Sequence, residues 1–301
     1  MNTRIRHTVF PVLAALIWGT AFVAQSVSAD YIGPFTFNML RSAIAAVALL
    51  VVLVIFRRLK HQRLRDVAPT RRDKKRLLWG GVCCGVALAV ASNFQQLGLG
   101  DTSAGKAGFI TALYIVLVPV LGLFLRKKVP LLVWGAVAVA VVGLYFLCVK
   151  EGFSIAPSDF YVLLCALVFA VHILVIDHFA PQVDGVALSC VQFVVVTVSS
   201  GAGALLTEEI VWANILRCLW PVLSVGVFSS GVAYTLQILA QKDANPTVVS
   251  LLLSLESVFS VLAGAVLLHE TMSGREYLGC GLMLLAVVAA QIPSPKKQEK
   301  T

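Results

Sequence analysis

Charged residues are scarce in this sequence: only 13% of its 301 residues are Asp, Glu, Lys or Arg, against about a quarter in an average soluble protein. Hydrophobic residues make up 59% of the chain, and its mean hydropathy is +0.90. Such a composition excludes an ordinary soluble domain. It predicts a polytopic membrane protein. Only helices and closed barrels satisfy their backbone polar groups within a bilayer. The long apolar runs described below indicate helices, so we expect an all-α fold.

Most chemical signatures are also missing. The sequence has no nucleophile paired with a base, no P-loop glycine run, no His or Cys at metal-binding spacing and no long soluble segment. We therefore expect neither an enzyme nor an ATP-driven pump, and no cofactor or metal. Seven cysteines lie in or beside apolar runs without a CxxC pair, which is typical of helix-packing residues: Cys83, Cys84, Cys148, Cys165, Cys190, Cys218 and Cys280.

The apolar residues fall into long runs, each able to cross a bilayer. Ten transmembrane helices are predicted, at 8–27, 35–56, 77–97, 104–125, 130–149, 159–177, 186–206, 216–240, 246–268 and 275–291. Residues 57–76 form a basic loop, 150–158 a middle linker and 293–301 a polar tail. Arg41 interrupts the second run about two turns from its start, and its side chain either snorkels to the interface or faces the interior.

The net charge of +9 does not indicate a nucleic-acid partner, because the basic residues cluster in loops beside the apolar runs. If the N-terminus is cytoplasmic, 19 Lys and Arg lie on that side and 4 on the other, with Arg41 within a run. The positive-inside rule thus predicts that both termini are cytoplasmic, in a cytoplasmic (inner) membrane.

The two halves of the chain show weak internal similarity. Residues 15–19 match 166–170, and the same offset pairs Arg41 with Gln192; nearby offsets pair Gln96 with Gln237 and Tyr114 with Glu256. Five helices is an odd number, so the second copy must enter the membrane from the opposite side. We therefore predict two inverted five-helix repeats, 1–150 and 151–301, an arrangement that commonly builds a transporter with its site between the halves.

Glu256 is the carboxylate placed deepest in an apolar run. It lies ten residues past Pro246, which at the helical rise puts it about 15 Å deep, near the midplane. A charge there is costly unless it meets water, a partner or a substrate. Two interpretations are open: a ligand or proton site, or a protonated side chain that stiffens the bundle.

Further polar residues within the predicted helices share faces with one another. Asn93 and Gln96 are one turn apart, and Trp18 and Gln25 two turns. Each amide could instead form an interhelical hydrogen bond, worth about 0.6 kcal/mol, and a buried His is often a packing residue. The predicted substrate-binding residues are Trp18, Gln25, Asn93, Gln96, Thr111, Tyr114, His172, Tyr234, Gln237 and Glu256.

Three motifs carry a family resemblance: Ala-Leu-Ile-Trp-Gly-Thr-Ala-Phe at 15–22, Leu-Val-Pro at 117–119, and Ser-Leu-Glu-Ser-Val-Phe at 254–259 with Leu-Leu-His-Glu at 267–270. They resemble the EamA-type branch of the drug/metabolite transporter superfamily, which has ten helices in two five-helix repeats. Ser257 stands where that family usually has Pro, and His269 where it usually has Gly. Arg126 to Lys128 occupy the region where many members carry the first-copy Glu.

This resemblance implies a carrier that alternates access between the membrane faces around a central cavity. Family members move amino acids, related metabolites and other small organic solutes, often outward. The partners so implied are a small-molecule solute and membrane lipids, with no nucleic acid; whether the chain forms a homo-oligomer stays open. The alternative function is a receptor or lipid-handling membrane protein that does not transport.

Overall fold

The protein is described by a computed structural model that covers residues 3–61, 70–99, 104–148, 156–267 and 272–292. Within these ranges the chain is helical throughout and has no strands. The predicted all-α class is therefore confirmed. Most of the basic loop, most of the middle linker, His269 with Glu270, and the tail from residue 293 lie outside the described residues.

Ten helices account for the ten predicted transmembrane segments, with boundaries that differ by a few residues. They are α1 (Thr3–Ala29), α2 (Pro34–His61), α3 (Arg71–Gly98), α4 (Ala104–Ala112 and Tyr114–Phe124), α5 (Leu131–Cys148), α6 (Pro157–Phe179), α7 (Gly185–Thr207), α8 (Leu219–Ser224, Val225–Ala233 and Tyr234–Gln241), α9 (Pro246–Leu253 and Glu256–Leu267) and α10 (Gly274–Ala290). Two short helices, Ala180–Gln182 and Trp212–Arg217, lie between them. Since α2 extends to His61 and α3 begins at Arg71, both ends of the predicted basic loop are helical.

Several helices begin where the sequence supplies a cap. The Thr70 hydroxyl accepts a hydrogen bond from the Asp73 N–H, and the Asp73 carboxylate accepts one in return from the Thr70 N–H, which starts α3. Asn245 accepts from the Thr247 N–H at 2.9 Å and is followed by Pro246, which starts α9. The start of α9 agrees with the predicted residue 246, whereas the cap at Thr70 starts α3 at Arg71, earlier than the predicted residue 77.

The outer surface is apolar and the interior contains many polar side chains, the reverse of a soluble protein. Val198 and Leu285, for example, are 68% and 58% exposed, whereas Gln192 and Ser254 are fully buried. Eight helices in the described part of the chain are long and apolar enough to cross a membrane. The chain is therefore an integral membrane protein whose apolar faces meet lipid.

The helices pack in a pattern that repeats when each helix is exchanged for the one five places further on. Helix α3 packs on α6 and α7, and its counterpart α8 packs on α1 and α2. Likewise α4 contacts α6, and its counterpart α9 contacts α1. In the pairs α2–α7 and α5–α10, each helix packs on its own counterpart, so the exchange leaves these self-equivalent pairs unchanged. This is the packing expected of two structurally equivalent five-helix repeats. The repeat boundaries at 150 and 151 stay a prediction.

One of the self-equivalent pairs, α5 and α10, packs with its backbones in contact. A Cβ atom on Gly279 would lie 2.7 Å from the Leu147 nitrogen and 2.8 Å from the Gly143 oxygen. Only glycine allows so close an approach, as is common where transmembrane helices associate. Helices α5 and α10 line no part of the cavity described below. Their tight contact therefore joins the two halves of the bundle at a place outside the cavity.

Candidate functional site

A cavity of about 50 Å³ lies between the two halves of the bundle. It is lined by α1 to α4 from the first half and by α6, α8 and α9 from the second. Seven of the ten predicted residues line it: Trp18, Gln25, Thr111, Tyr114, Tyr234, Gln237 and Glu256. This volume has room for a few water molecules only, so a solute could enter only if the helices around it separated.

Glu256 is positioned by an interruption of α9. The helix breaks at Ser254 and Leu255, and the Leu255 N–H donates to the Leu252 carbonyl at 3.3 Å in a tighter turn. Glu256 is the first residue of the second part of α9 and is 8% exposed. Its carboxylate therefore lies at the N-terminus of a half-helix, where the helix dipole favours negative charge.

Tyr114 is positioned in the same way on α4. That helix is interrupted at Leu113, and Tyr114 begins its second part. The Tyr114 hydroxyl donates a hydrogen bond to Oε1 of Glu256 at 3.4 Å, which links the two interrupted helices across the cavity. One turn earlier on α4, the Thr111 hydroxyl accepts a hydrogen bond from the Gln95 amide at 3.5 Å.

Trp18 and Tyr234 form the aromatic wall of the cavity. Their ring centroids are 4.7 Å apart. Residues Val225–Ala233 of α8 are π-helical, and the carbonyl of Ser229 within this segment accepts a hydrogen bond from the Trp18 indole at 3.2 Å. Local π-helical geometry is frequent at functional sites, and here it accompanies a backbone carbonyl that fixes a cavity side chain.

Gly19 brings α1 against α9 at the level of the carboxylate. A Cβ atom at this position would lie 2.7 Å from the Glu256 backbone oxygen and 2.8 Å from the Ser260 nitrogen. No side chain fits there without moving a helix. Gly19 thus holds the beginning of the second part of α9, and with it Glu256, against the helix that carries Trp18.

The cavity contains one group of each charge and two amide oxygens without partners. Arg41 is 5% exposed and lines the cavity, so it faces the interior of the bundle and does not snorkel to the interface. The Oε1 atoms of Gln25 and Gln237 are buried and accept no hydrogen bond. A solute with both donor and acceptor groups would find complementary partners here.

Three of the predicted binding residues do not line the cavity. Asn93 accepts a hydrogen bond from the Asn38 amide at 2.8 Å and donates one to the Ser200 hydroxyl at 3.0 Å. These are the interhelical hydrogen bonds expected of an amide that packs helices together and does not bind substrate. His172 is fully buried with its Nε2 3.2 Å from Oε1 of Gln192. Gln96 is buried on another face of α3.

The remaining lining residues were not among the predicted binding residues: Phe22, Arg41, Gln95, Phe169, Ile173, Ser229 and Leu253. Arg41 was noticed in the sequence because it interrupts an apolar run, but its direction was open. On α3, Asn93 and Gln96 were predicted from the sequence as the inward-facing amides, whereas Gln95 is the amide that lines the cavity. The apolar members carried no signal in the sequence, since they resemble every other residue in a membrane helix.

The described part of the chain contains no group of three or more His, Cys, Asp or Glu side chains that could hold a metal ion. All seven cysteines are free and at least partly buried. The polar chemistry of the cavity therefore rests on its amides, its hydroxyls, one carboxylate and one guanidinium.

Comparisons with known proteins place the chain among transporters. The model of the EamA-like transporter family matches residues 8–149 and 156–290. The chain is 31% identical to an uncharacterized transporter of Archaeoglobus fulgidus, over 93% of this chain and 84% of that protein. It is 26% identical to an uncharacterized transporter of Synechocystis sp., over 95% of this chain and 90% of that protein.

A solved crystal structure has the same fold, with a TM-score of 0.76 over 95% of this chain and 96% of the other. The sequence identity is 19%, so this likeness concerns the fold alone. Since the family model covers both halves of the bundle and matches most of the chain, the protein belongs to the EamA-like transporter family.

Proposed function

We propose that this transporter is a secondary carrier of small organic metabolites, amino acids or related solutes, and that it exports them by alternating access. The observation that carries the proposal is the cavity itself, which lies between the two halves and contains Glu256, Arg41 and unpaired amides. Buried groups of this kind are costly in a membrane protein unless they have a use.

The position of the cavity also supports the mechanism. Helices from both halves line it, so a rocking of one half against the other would open it toward either face. Glu256 and Tyr114 begin the second parts of the two interrupted helices that meet there. Such discontinuous helices commonly form the binding sites of secondary transporters.

We further propose that the protein resides in the cytoplasmic membrane with both termini inside the cell. The excess of Lys and Arg in the loops assigned to that side supports this orientation. The measurement is a pair of C-terminal fusions. We expect the fusion to green fluorescent protein to fluoresce and the fusion to alkaline phosphatase to be inactive. The opposite pattern would refute the orientation.

Transport is tested by counterflow in proteoliposomes. Unlabelled solute trapped inside is expected to accelerate the entry of labelled solute, because a carrier returns to the outer face faster when loaded. A receptor or lipid-handling protein would bind without this acceleration.

The first set of solutes consists of alanine, leucine, 4-methylpentanoate and isoamylamine. They separate the contributions of the carboxylate, the amine and the apolar chain to transport.

A further inference from the structure

Arg41 is a buried cation that has no anionic partner. Its side chain lines the cavity, and the residue is 5% exposed. Among the described residues it forms no ion pair; its Nε has no hydrogen-bond partner, and its guanidinium lies 5.5 Å from the centre of the Phe37 ring. A cation–π contact offsets part of the cost of burial, but a desolvated guanidinium without an anion stays unfavourable.

Glu256, which lines the same cavity, does not neutralise Arg41. Its carboxylate accepts a hydrogen bond from Tyr114 and forms no ion pair with Arg41 in the described part of the chain. The two groups are on α2 and α9, which come from different halves of the bundle. The cavity thus presents the Arg41 guanidinium, which is not paired with a carboxylate of the described chain, and a separate hydrogen-bond acceptor at Glu256.

The geometry of a guanidinium favours one class of anion. Its planar fork of N–H donors matches the two oxygens of a carboxylate, which it binds in a bidentate manner. The unpaired oxygens of Gln25 and Gln237 lie in the same cavity and are 95% and 98% buried, respectively. They require N–H or O–H donors, which a carboxylate lacks, so they would contact another part of the same solute.

The second half of the bundle does not duplicate Arg41. The equivalent position is Gln192, which is fully buried, bonded to His172 and outside the cavity. Of the described residues that line the cavity, Arg41 is the one Lys or Arg. A single guanidinium matches one anionic group, and the surrounding Trp18 and Tyr234 rings match an apolar remainder.

We propose that Arg41 is the carboxylate-binding residue of this cavity and that it selects solutes with one carboxylate and at least one further N–H or O–H donor. The proposal rests on the proposed transport function, since it names the solute class of the same site. Amino acids and hydroxy acids with apolar side chains meet this description. Solutes that are only cationic do not.

The experiment compares solutes that differ only at the carboxylate. Each carboxylate is paired with its carboxamide. The carboxylates are L-leucine, 2-hydroxy-4-methylpentanoate and the proteinogenic amino acids with other apolar side chains. Isoamylamine is added as a solute that is only cationic. Each is tested on the purified full-length protein by thermal shift, and then by counterflow. We expect carboxylates to raise the melting temperature in a concentration-dependent manner, and their carboxamides and isoamylamine to leave it unchanged.

The variant Arg41→Gln is expected to weaken carboxylate binding by about 30-fold or more, because a buried charged hydrogen bond is lost. Arg41→Lys keeps the charge but not the fork, and about a tenfold loss is expected. The matched control is Arg275→Gln. Arg275 also lies over aromatic rings, 5.2 Å from Tyr145 and 5.6 Å from Phe146, but does not line the cavity, so affinity should stay within about twofold of the wild type.

Some outcomes would overturn the assignment. It fails if carboxamides stabilise the wild-type protein as well as carboxylates do, if no carboxylate in the panel produces a shift, or if folded Arg41→Gln protein binds carboxylates with unchanged affinity. Should that variant not fold, Arg41→Lys tests the residue, and unchanged carboxylate affinity in folded Arg41→Lys protein would overturn the assignment. Carboxylate-dependent shifts that are lost in Arg41→Gln, in the absence of counterflow, would refute transport but support Arg41. Counterflow of isoamylamine that persists in Arg41→Gln would refute Arg41 but support transport.

Discussion

Tyr114 and Glu256 occupy equivalent positions in the two halves of the molecule and touch each other across the cavity. Each is the first residue after the interruption of its helix, and the Tyr114 hydroxyl donates to the Glu256 carboxylate at 3.4 Å. The pair therefore ties α4 to α9 at the point where both helices are weakest in backbone hydrogen bonding. The contact joins a helix of the first half to its counterpart in the second half.

The first prediction concerns proton dependence. Glu256→Gln should abolish the pH dependence of transport while the protein still folds, because the amide keeps the size of the side chain but cannot exchange a proton. The measurement is counterflow across a range of pH values, with the melting temperature as the check on folding. Tyr114→Phe is the control, since it removes the hydrogen bond but leaves the carboxylate. Full activity with an unchanged pH profile in Glu256→Gln would remove this residue from the mechanism.

A second prediction separates neighbouring amides on α3. Gln95 lines the cavity and Gln96 does not, although both are buried. Gln95→Ala and Gln237→Ala should each raise the half-saturation concentration by about tenfold, as expected for loss of one hydrogen bond of about 1 to 1.5 kcal/mol. Gln96→Ala should leave it unchanged. A larger effect of Gln96→Ala than of Gln95→Ala would mean that the cavity face of α3 has been assigned wrongly.

A third prediction concerns the contact between α1 and α9. Gly19→Ala should lower the free energy of unfolding by about 1 to 3 kcal/mol and reduce transport, because the added methyl group meets the backbone of Glu256 and Ser260. Thermal unfolding in detergent measures the first effect. Gly135→Ala is the matched control: nothing lies within 4 Å of the added atom, and the helix should be unaffected or stabilised by up to about 1 kcal/mol. Equal melting temperatures for the two variants would contradict this packing.

The fourth prediction gives Asn93 a purely structural role. Asn93→Ala removes bonds to Asn38 on α2 and Ser200 on α7, so it should destabilise the bundle without altering solute affinity. A double-mutant cycle with Ser200→Ala should yield a coupling of about 0.6 kcal/mol, the average for such bonds in membranes. A change in half-saturation concentration at unchanged stability would return Asn93 to the binding site.

Much of the architecture could be predicted because membrane helices are long and their ends carry strong local signals. The start of α9 at Pro246 was predicted, whereas α3 begins at Arg71, before the predicted start at residue 77, because Thr70 and Asp73 cap it. Such signals depend only on residues a few positions apart. The place of Glu256 near the middle of α9 followed from counting residues along the predicted helix.

The interruptions of α4 and α9 were not predicted. Neither Leu113 nor Leu255 is a residue that breaks helices by itself, and Pro119 lies inside the second part of α4 without ending it. The π-helical segment Val225–Ala233 likewise has no marker in the sequence. These features lie where helices from the two halves meet around the cavity, and contacts between distant parts of the chain cannot be deduced from local sequence.

The sequence by itself determined the membrane class, the ten helices, their inverted duplication and the carboxylate halfway along α9, because all of these depend on composition and on spacing along one chain. Only the tertiary structure decided which polar side chains face the cavity. Adjacent residues such as Gln95 and Gln96 point about 100° apart on a helix with 3.6 residues per turn, and in a helix that is apolar on every side no pattern fixes its rotation. The neighbouring helices fix it, and so they place Arg41 and Gln95 inside and leave Gln96 and His172 in the packing around the cavity.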